Sequence, residues 1–152
     1  VKRWLEDCME FHQERCTPLA DIKATPRRLL EITRRRWQSG YKIRLVQPRV
    51  EVEYFCLSHC WGNKYESCTT VKSNLSKRMR DIPWKKLPNL FQQALVFTHK
   101  LDAKYLWIDS LCIIQDDDQD WSREATKMAG IYENAKLTLA AIAARNSDED
   151  MF

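Results

Sequence analysis

Tyr105-Leu-Trp-Ile-Asp-Ser-Leu-Cys-Ile-Ile-Gln-Asp-Asp117 is the stretch that decides how this chain folds. It opens as a buried strand, because Tyr105, Leu106, Trp107 and Ile108 form an apolar run far too short for a membrane span. It closes in groups that a core rejects: Asp109, Ser110, Gln115, Asp116, Asp117 and Asp118. Unpaired carboxylates are costly to bury, so the strand must deliver them to an edge or cleft. In α/β folds that edge is where ligands bind.

The neighbouring segments read outward from there. Asp120 is placed to cap a helix running to about Tyr132, with Ala125, Met128, Ala129, Ile131 and Tyr132 on its buried side. Trp121 is expected as a buried indole within it. Residues 136–144 make a final strand. Upstream, Pro88 starts a helix continued by Leu90, Ala94, Leu95, Phe97 and Leu101. Residues 52–58 form a strand rich in Val, Tyr and Phe, followed by the loop His59-Cys-Trp-Gly62. Residues 63–82 are polar, with a short helix near 72–79. Tyr41 to Val46 make a first strand, stopped by Pro48. Residues 18–41 read as irregular, with a short basic helix near 27–32. Residues 3–16 read as a helix with Trp4, Leu5, Cys8, Phe11 and His12 on one face.

Strands thus alternate with helices, and each link is long enough for a crossover. The expectation is an α/β fold with a mainly parallel sheet flanked by helices and right-handed connections. Strands near 52–58, 104–109 and 137–143 become parallel neighbours. Ser58-His59 and Asp109-Ser110 then share one edge.

Composition sets the outer bounds. The chain has 152 residues, 44% hydrophobic and 30% charged, which is one globular domain with room for a core. A net charge of +4 is too small to imply nucleic acid. The clusters Arg27-Arg28 and Arg34-Arg35-Arg36 read as a solvated face. No apolar run has membrane length, and no signal peptide opens the chain. A cytoplasmic location follows as the expectation. The first residue is Val1 and the last is Phe152, which suggests a piece of a longer protein.

Several constellations invite chemistry. Ser58, His59 and Asp109 suggest a hydrolase triad, but adjacent side chains diverge on a strand and no nucleophile elbow surrounds them. The plainer reading has His59 and Asp109 bracing neighbouring loops by a hydrogen bond. Cys112, set among Leu111, Ile113 and Ile114, reads as buried and inert, whereas Cys60 adjoins His59. The six cysteines fit a reduced chain better than a disulfide scaffold. Cys8, His12 and Cys16 fall four residues apart, and adjacent pairs could share a zinc ion. All three span roughly 12 Å of helix, so packing is the default and no metal site is assigned. The acidic run Asp116–Asp118 with Asp120 reads as a solvated loop and cap rather than a cation site.

Five phrases in order resemble the HET (heterokaryon incompatibility) domain of filamentous fungi. They are Tyr54-Phe-Cys-Leu-Ser-His-Cys-Trp-Gly62, Leu87-Pro88 with its helix, Leu106 through Asp116, Asp120-Trp-Ser-Arg-Glu124, and Met128 through Ala135. Trp4-Leu-x-x-Cys8 with His12 and Cys16 resembles a lead-in found upstream. The family's usual late Gly is missing from Asp148-Glu-Asp-Met-Phe152. The resemblance implies an N-terminal helical lead-in over 1–51 and a HET core over 52–152. It also implies a role in non-self recognition that ends in programmed cell death.

A weaker similarity links Tyr54–Ser58 to the first strand of TIR domains, and Trp121 with Glu124 to the helix bearing their catalytic Glu. There the Trp-to-Glu spacing is commonly one residue longer. The fold implied is TIR-like or flavodoxin-like, in three layers. The activity implied is cleavage of NAD, as substrate rather than cofactor, with no cofactor required. Such cleavage passes through an oxocarbenium-like ribose that a carboxylate stabilises. Glu124 is the catalytic candidate, against the plainer reading of an exposed helix-start carboxylate. Ser58, His59, Trp61, Gly62, Asp109, Ser110, Gln115, Asp116 and Trp121 are the substrate-binding candidates, with Trp61 or Trp121 stacking on a ring and Gly62 permitting close backbone approach. The alternative is a non-enzymatic module that signals by self-association or by binding other proteins of an incompatibility pathway. Neither reading calls for nucleic acid or membrane.

Overall fold

The computed structural model describes residues 1–11, 25–35, 40–61 and 68–151. The remaining candidates, His12, Cys16 and Gly62, lie outside them. One five-stranded sheet organises the chain. Its strands are β1 (Leu29–Arg34), β2 (Tyr41–Val46), β3 (Phe55–Ser58), β4 (Tyr105–Trp107) and β5 (Leu137–Ala140), in the spatial order β2-β1-β4-β3-β5. β3 pairs in parallel with both β4 and β5, while β1 runs antiparallel to β2 and β4.

The sheet is therefore mixed rather than mainly parallel. The three predicted parallel neighbours are present. The difference lies in β1, where a short basic helix was expected. Leu29, Leu30 and Ile32 are buried, and the strand is paired along both sides. A strand hydrogen-bonded on both sides and covered by neighbours reads as a near-continuous apolar run, which over four residues cannot be told from helix by period alone. Among the described residues of 1–51 are the helix α1 (Lys2–Phe11) and two strands of the common sheet, so this stretch is not helical throughout.

The helices are α2 (Lys72–Arg80), α3 (Asn89–Lys100), α4 (Asp109–Cys112), α5 (Asp118–Ala125) and α6 (Met128–Glu133), with a 3-10 turn at Trp84–Lys86. α3 buries Leu90, Phe91, Ala94, Leu95 and Thr98, a three-to-four spacing that makes one face. The cap of α5 is Asp117, whose side chain accepts the Asp120 N–H, and not Asp120 itself. Asp120 lies one turn in and is buried. The expected single helix from 120 to 132 breaks at Thr126–Lys127 into α5 and α6. Trp107, Phe55, Phe91 and the leucines of β1, β3 and α3 fill the core.

β1 also carries a buried charge. Glu31 stands opposite Arg44 on β2 and accepts hydrogen bonds from Arg44 and from Lys104, whose Nζ lies 3.0 Å away. Burial alone would raise its carboxyl pKa, but the two cations together hold it below the ordinary value. A carboxyl whose pKa is depressed on folding contributes stability above its unfolded pKa. That contribution is lost as pH falls through the folded value. Glu31→Gln is expected to lower stability near neutrality by on the order of 1 kcal/mol. The gap to the wild type should close as pH falls through the lowered pKa of the folded carboxyl. Urea unfolding near neutrality and in acid checks this, and a gap that persists in acid would refute the ionic explanation.

Candidate functional site

Parallel pairing of β3, β4 and β5 brings their carboxyl ends to one edge. Ser58 and His59 leave β3, Asp109 and Ser110 leave β4, and Ala141 leaves β5 with its N–H on the Ser58 carbonyl at 2.9 Å. The chain then turns at once into α4. Asp109 opens that helix and accepts the Ser110 N–H at 2.7 Å. Thr70 pins the following turn. Its hydroxyl donates to the Leu111 carbonyl at 2.6 Å, its N–H to Ser110 and its carbonyl accepts the Gln115 N–H.

Asp109 is the centre of the cluster. Its second carboxylate oxygen accepts the Trp61 indole N–H at 2.7 Å. His59 faces it electrostatically and packs edge-on against Phe91, with ring centroids 5.0 Å apart. Burial pushes the Asp109 pKa up, opposed by His59 and Trp61. Burial pulls the His59 pKa down, opposed by Asp109. Both groups are driven toward their neutral forms, the arrangement that lets a carboxyl and an imidazole exchange protons with a ligand. The expected hydrogen bond between them gives way to a charge contact, since Asp109 bonds to Trp61 and Ser110 instead. Gln115 braces the turn, donating to the carbonyls of Ile113 and Asp109.

Several polar atoms of this region are buried without a hydrogen-bond partner: His59 Nδ1, Ser110 Oγ, Trp107 Nε1 and Glu124 Oε1. Native interiors leave few such atoms, and each calls for an explanation. Glu124 is fully buried on α5. This replaces the exposed helix-start carboxylate of the plainer reading. Its other oxygen accepts the Arg27 backbone N–H at 3.1 Å. Glu124 and Asp109 both lie near enough to Cys112 to act on its thiol, which burial above all pushes up to about 12. Cys112 is thus inert as a nucleophile.

The remaining candidates sit elsewhere. Ser58 and Asp116 are exposed, and Asp116 accepts the Lys72 N–H at 2.7 Å. Trp121 is 54% exposed, so the buried indole expected there is wrong. Cys60 is exposed. Cys8 is half-buried, and no cluster of metal-ligating side chains occurs among the described residues.

The sequence reading passed over two members. Tyr132 on α6 donates to the Leu57 carbonyl at 3.4 Å, stacks edge-on against Trp107 at 5.3 Å, and feels the charge of Asp109. Phe91 supplies the wall behind His59. Helical spacing marked Tyr132 as apolar and left Phe91 off the apolar face of its helix, and nothing in that spacing distinguishes a core ring from one beside a polar site.

A cavity of about 470 Å³ lies at the opposite edge, between α1 and the amino ends of β3 and β4. Its lysines are engaged by carboxylates: Lys2 by Asp102, Lys104 by Glu31 and Lys136 by Glu53. The cluster of unpartnered buried polar atoms lies instead around the His59–Asp109 edge. No described helix is long and apolar enough to cross a membrane.

Comparison with curated proteins and with solved structures returns no match. Among family models, that described as heterokaryon incompatibility protein (HET) matches residues 54–152. The match takes in the whole His59–Asp109 edge, α5 with Glu124, and the parallel strands that position them. The chain belongs to the heterokaryon incompatibility (HET) family.

Proposed function

We propose that this HET domain acts in the fungal cytoplasm to trigger programmed cell death in non-self recognition. It does so by cleaving NAD or a related nucleotide at the His59–Asp109 edge. The observation that carries this reading is the set of unpartnered buried atoms there, His59 Nδ1 and Ser110 Oγ above all, beside a carboxyl and an imidazole held toward neutrality. A polar ligand would complete those bonds. Trp61 offers a ring beside Asp109, and Glu124 is the buried carboxylate assigned to the ribose. An oxocarbenium-like ribose needs one such negative charge, and nicotinamide leaves without obligatory acid help. On this reading the parallel β3–β4–β5 unit is the TIR-like part of the fold.

The test is incubation of concentrated, purified protein with NAD, followed by chromatographic detection of nicotinamide. Product is expected from the wild type. Asp109→Asn is expected to slow its release by roughly a hundredfold or more, as for removal of a carboxyl that exchanges protons with the ligand. No product from folded, concentrated protein would leave the second reading, a non-enzymatic module signalling through contacts with other proteins. The exposed Trp121 and Ile142, at 54% and 92%, are among the apolar groups available to it.

A further inference from the structure

Basic residues concentrate in two stretches of this chain. Residues 32–50 hold six Lys and Arg and no Asp or Glu, and residues 69–101 hold seven against Asp81 alone. The other residues carry 12 against 20, so the net charge of +4 conceals the excess. The fold brings the two stretches together at Tyr41, the first residue of β2. Arg34 is its cross-strand partner on β1, and the Arg35 Nε–H donates to its carbonyl at 3.4 Å. The Tyr41 ring packs against Trp84 and edge-on against His99, with centroids 5.6 and 5.0 Å apart. The Ile82 N–H reaches the Ile43 carbonyl at 2.7 Å, which draws the end of α2 alongside β2.

Six exposed cations stand on the elements that meet there. They are Arg34 and Arg35 where β1 ends, Arg80 at the end of α2, Lys85 and Lys86 in the 3-10 turn, and Lys100 at the end of α3. Lys42 and Arg44 alternate to the other face of the sheet. Among the described residues no carboxylate pairs with Arg34, Arg80, Lys85, Lys86 or Lys100. Asp81, the only acid within the two stretches, lies 3.8 Å from Arg35. Asp102 follows Lys100 by two residues but is engaged by Lys2. Asp150 bonds the Asn89 and Gln93 amides, about two to three turns back along α3 from Lys100. A groove of about 290 Å³ adjoins the cations, lined by Trp84, Val96, Phe97 and Lys100 with the Gln92 and Gln93 amides.

We infer that this surface binds single-stranded nucleic acid. The cations take the phosphates, and the partly exposed Trp84 indole, backed by Tyr41, takes a base. A base stacked there sits beside Lys100 and the glutamine amides of the groove. A basic face with an aromatic ring at its centre suits a flexible strand whose bases splay out. A duplex keeps its bases stacked inside and meets the cations alone. A membrane surface calls for apolar side chains that reach into it. The large exposed ones, Val1, Trp4, Phe11, Val50, Trp121 and Ile142, all stand outside the elements that meet at Tyr41. None of these groups belongs to the His59–Asp109 edge, so the binding is independent of nucleotide cleavage.

Fluorescence anisotropy of a labelled oligouridine of about 20 nucleotides, titrated with the purified chain at several salt concentrations, tests this. Affinity is expected to fall with salt at a log–log slope of about −3 to −4, as for four to six phosphates. An abasic strand, or a duplex with the same number of phosphates, should bind roughly tenfold more weakly for want of a base to stack. Lys85→Glu with Lys86→Glu should weaken binding roughly thirtyfold and make the slope shallower by about 1 to 1.5, with an unchanged thermal melt. Arg80→Glu with Lys100→Glu, on α2 and α3, should do the same. Arg49→Glu with Arg145→Glu changes the net charge equally at exposed positions outside the surface. That pair should leave affinity within about twofold. Equal weakening by all three pairs would reduce the effect to net charge and overturn the proposal. So would no binding at low salt, or abasic and duplex probes held as tightly as the single strand. Tighter binding to anionic phospholipid vesicles than to oligouridine would assign the face to a membrane instead.

Discussion

Asp120→Ala is expected to lower folding stability by about 3–5 kcal/mol, the cost of leaving a buried cation without its counter-ion. Asp120 is 2% exposed and Arg28 is 1% exposed. The Asp120 carboxylate accepts hydrogen bonds from Arg28, from the Ile114 N–H at 2.9 Å and from Arg27 at 3.3 Å. The Arg28 Nε–H donates to the Cys112 carbonyl at 2.7 Å. One carboxylate thereby ties the start of β1, the turn after α4 and the first turn of α5. Truncation leaves the guanidinium enclosed, and the melting temperature should fall by roughly 10 °C. Replacing both partners, as Arg28→Met with Asp120→Leu, should cost far less, because neither charge is then stranded. Urea unfolding of the single and double variants separates the two effects. A single-variant loss below about 1 kcal/mol would place the pair among ordinary surface bridges.

The same contact bears on where the folding unit begins. Arg28 and both strands of the β1–β2 pair precede residue 54, where the family match starts. Yet Arg28 supplies the counter-ion for Asp120 inside that match, and β1 hydrogen-bonds directly to β4. The matched segment alone would leave an open edge on β4 and a buried Asp120 without its cation.

These particulars explain what was readable from sequence and what was not. β3, β4 and β5 announced themselves as short apolar runs, Phe55-Cys-Leu57, Tyr105-Leu-Trp107 and Leu137-Thr-Leu139, set between polar segments. The edge carrying His59 and Asp109 followed from that order. β1 escaped because Arg27-Arg28-Leu-Leu-Glu-Ile-Thr-Arg34 reads as a charged surface. Rules for single residues place Arg and Glu in solvent. They cannot see that Arg28 meets a carboxylate 92 positions later, or that Glu31 meets Arg44 and Lys104. The same blindness misplaced Glu124, buried with its carboxylate on the Arg27 N–H, and Trp121, left exposed on α5. Pairing across long sequence distance decided each case, and a propensity carries no information about partners.

Glu124→Gln bears most directly on mechanism. The swap keeps size and shape, and the side-chain carbonyl can still accept the Arg27 N–H. It removes the negative charge that an oxocarbenium-like transition state requires. If Glu124 is the reacting carboxylate, the rate of NAD loss should fall by roughly a thousandfold, and cell death should fall with it. Stability should change by only about 1 kcal/mol, the scale of one altered hydrogen bond. Glu124 is fully buried, whereas Asp109 is only half-buried. On the proposed reading a substrate would meet Asp109 from solvent, and would meet Glu124 only by filling the space beside the unpartnered Oε1. NAD loss stopped by Asp109→Asn but not by Glu124→Gln would transfer the reacting role to Asp109. Glu124 would then act only in holding the Arg27 strand entry against α5. Cell death that survives both substitutions, in protein that remains folded, would remove catalysis at this edge altogether and leave signalling through contacts alone.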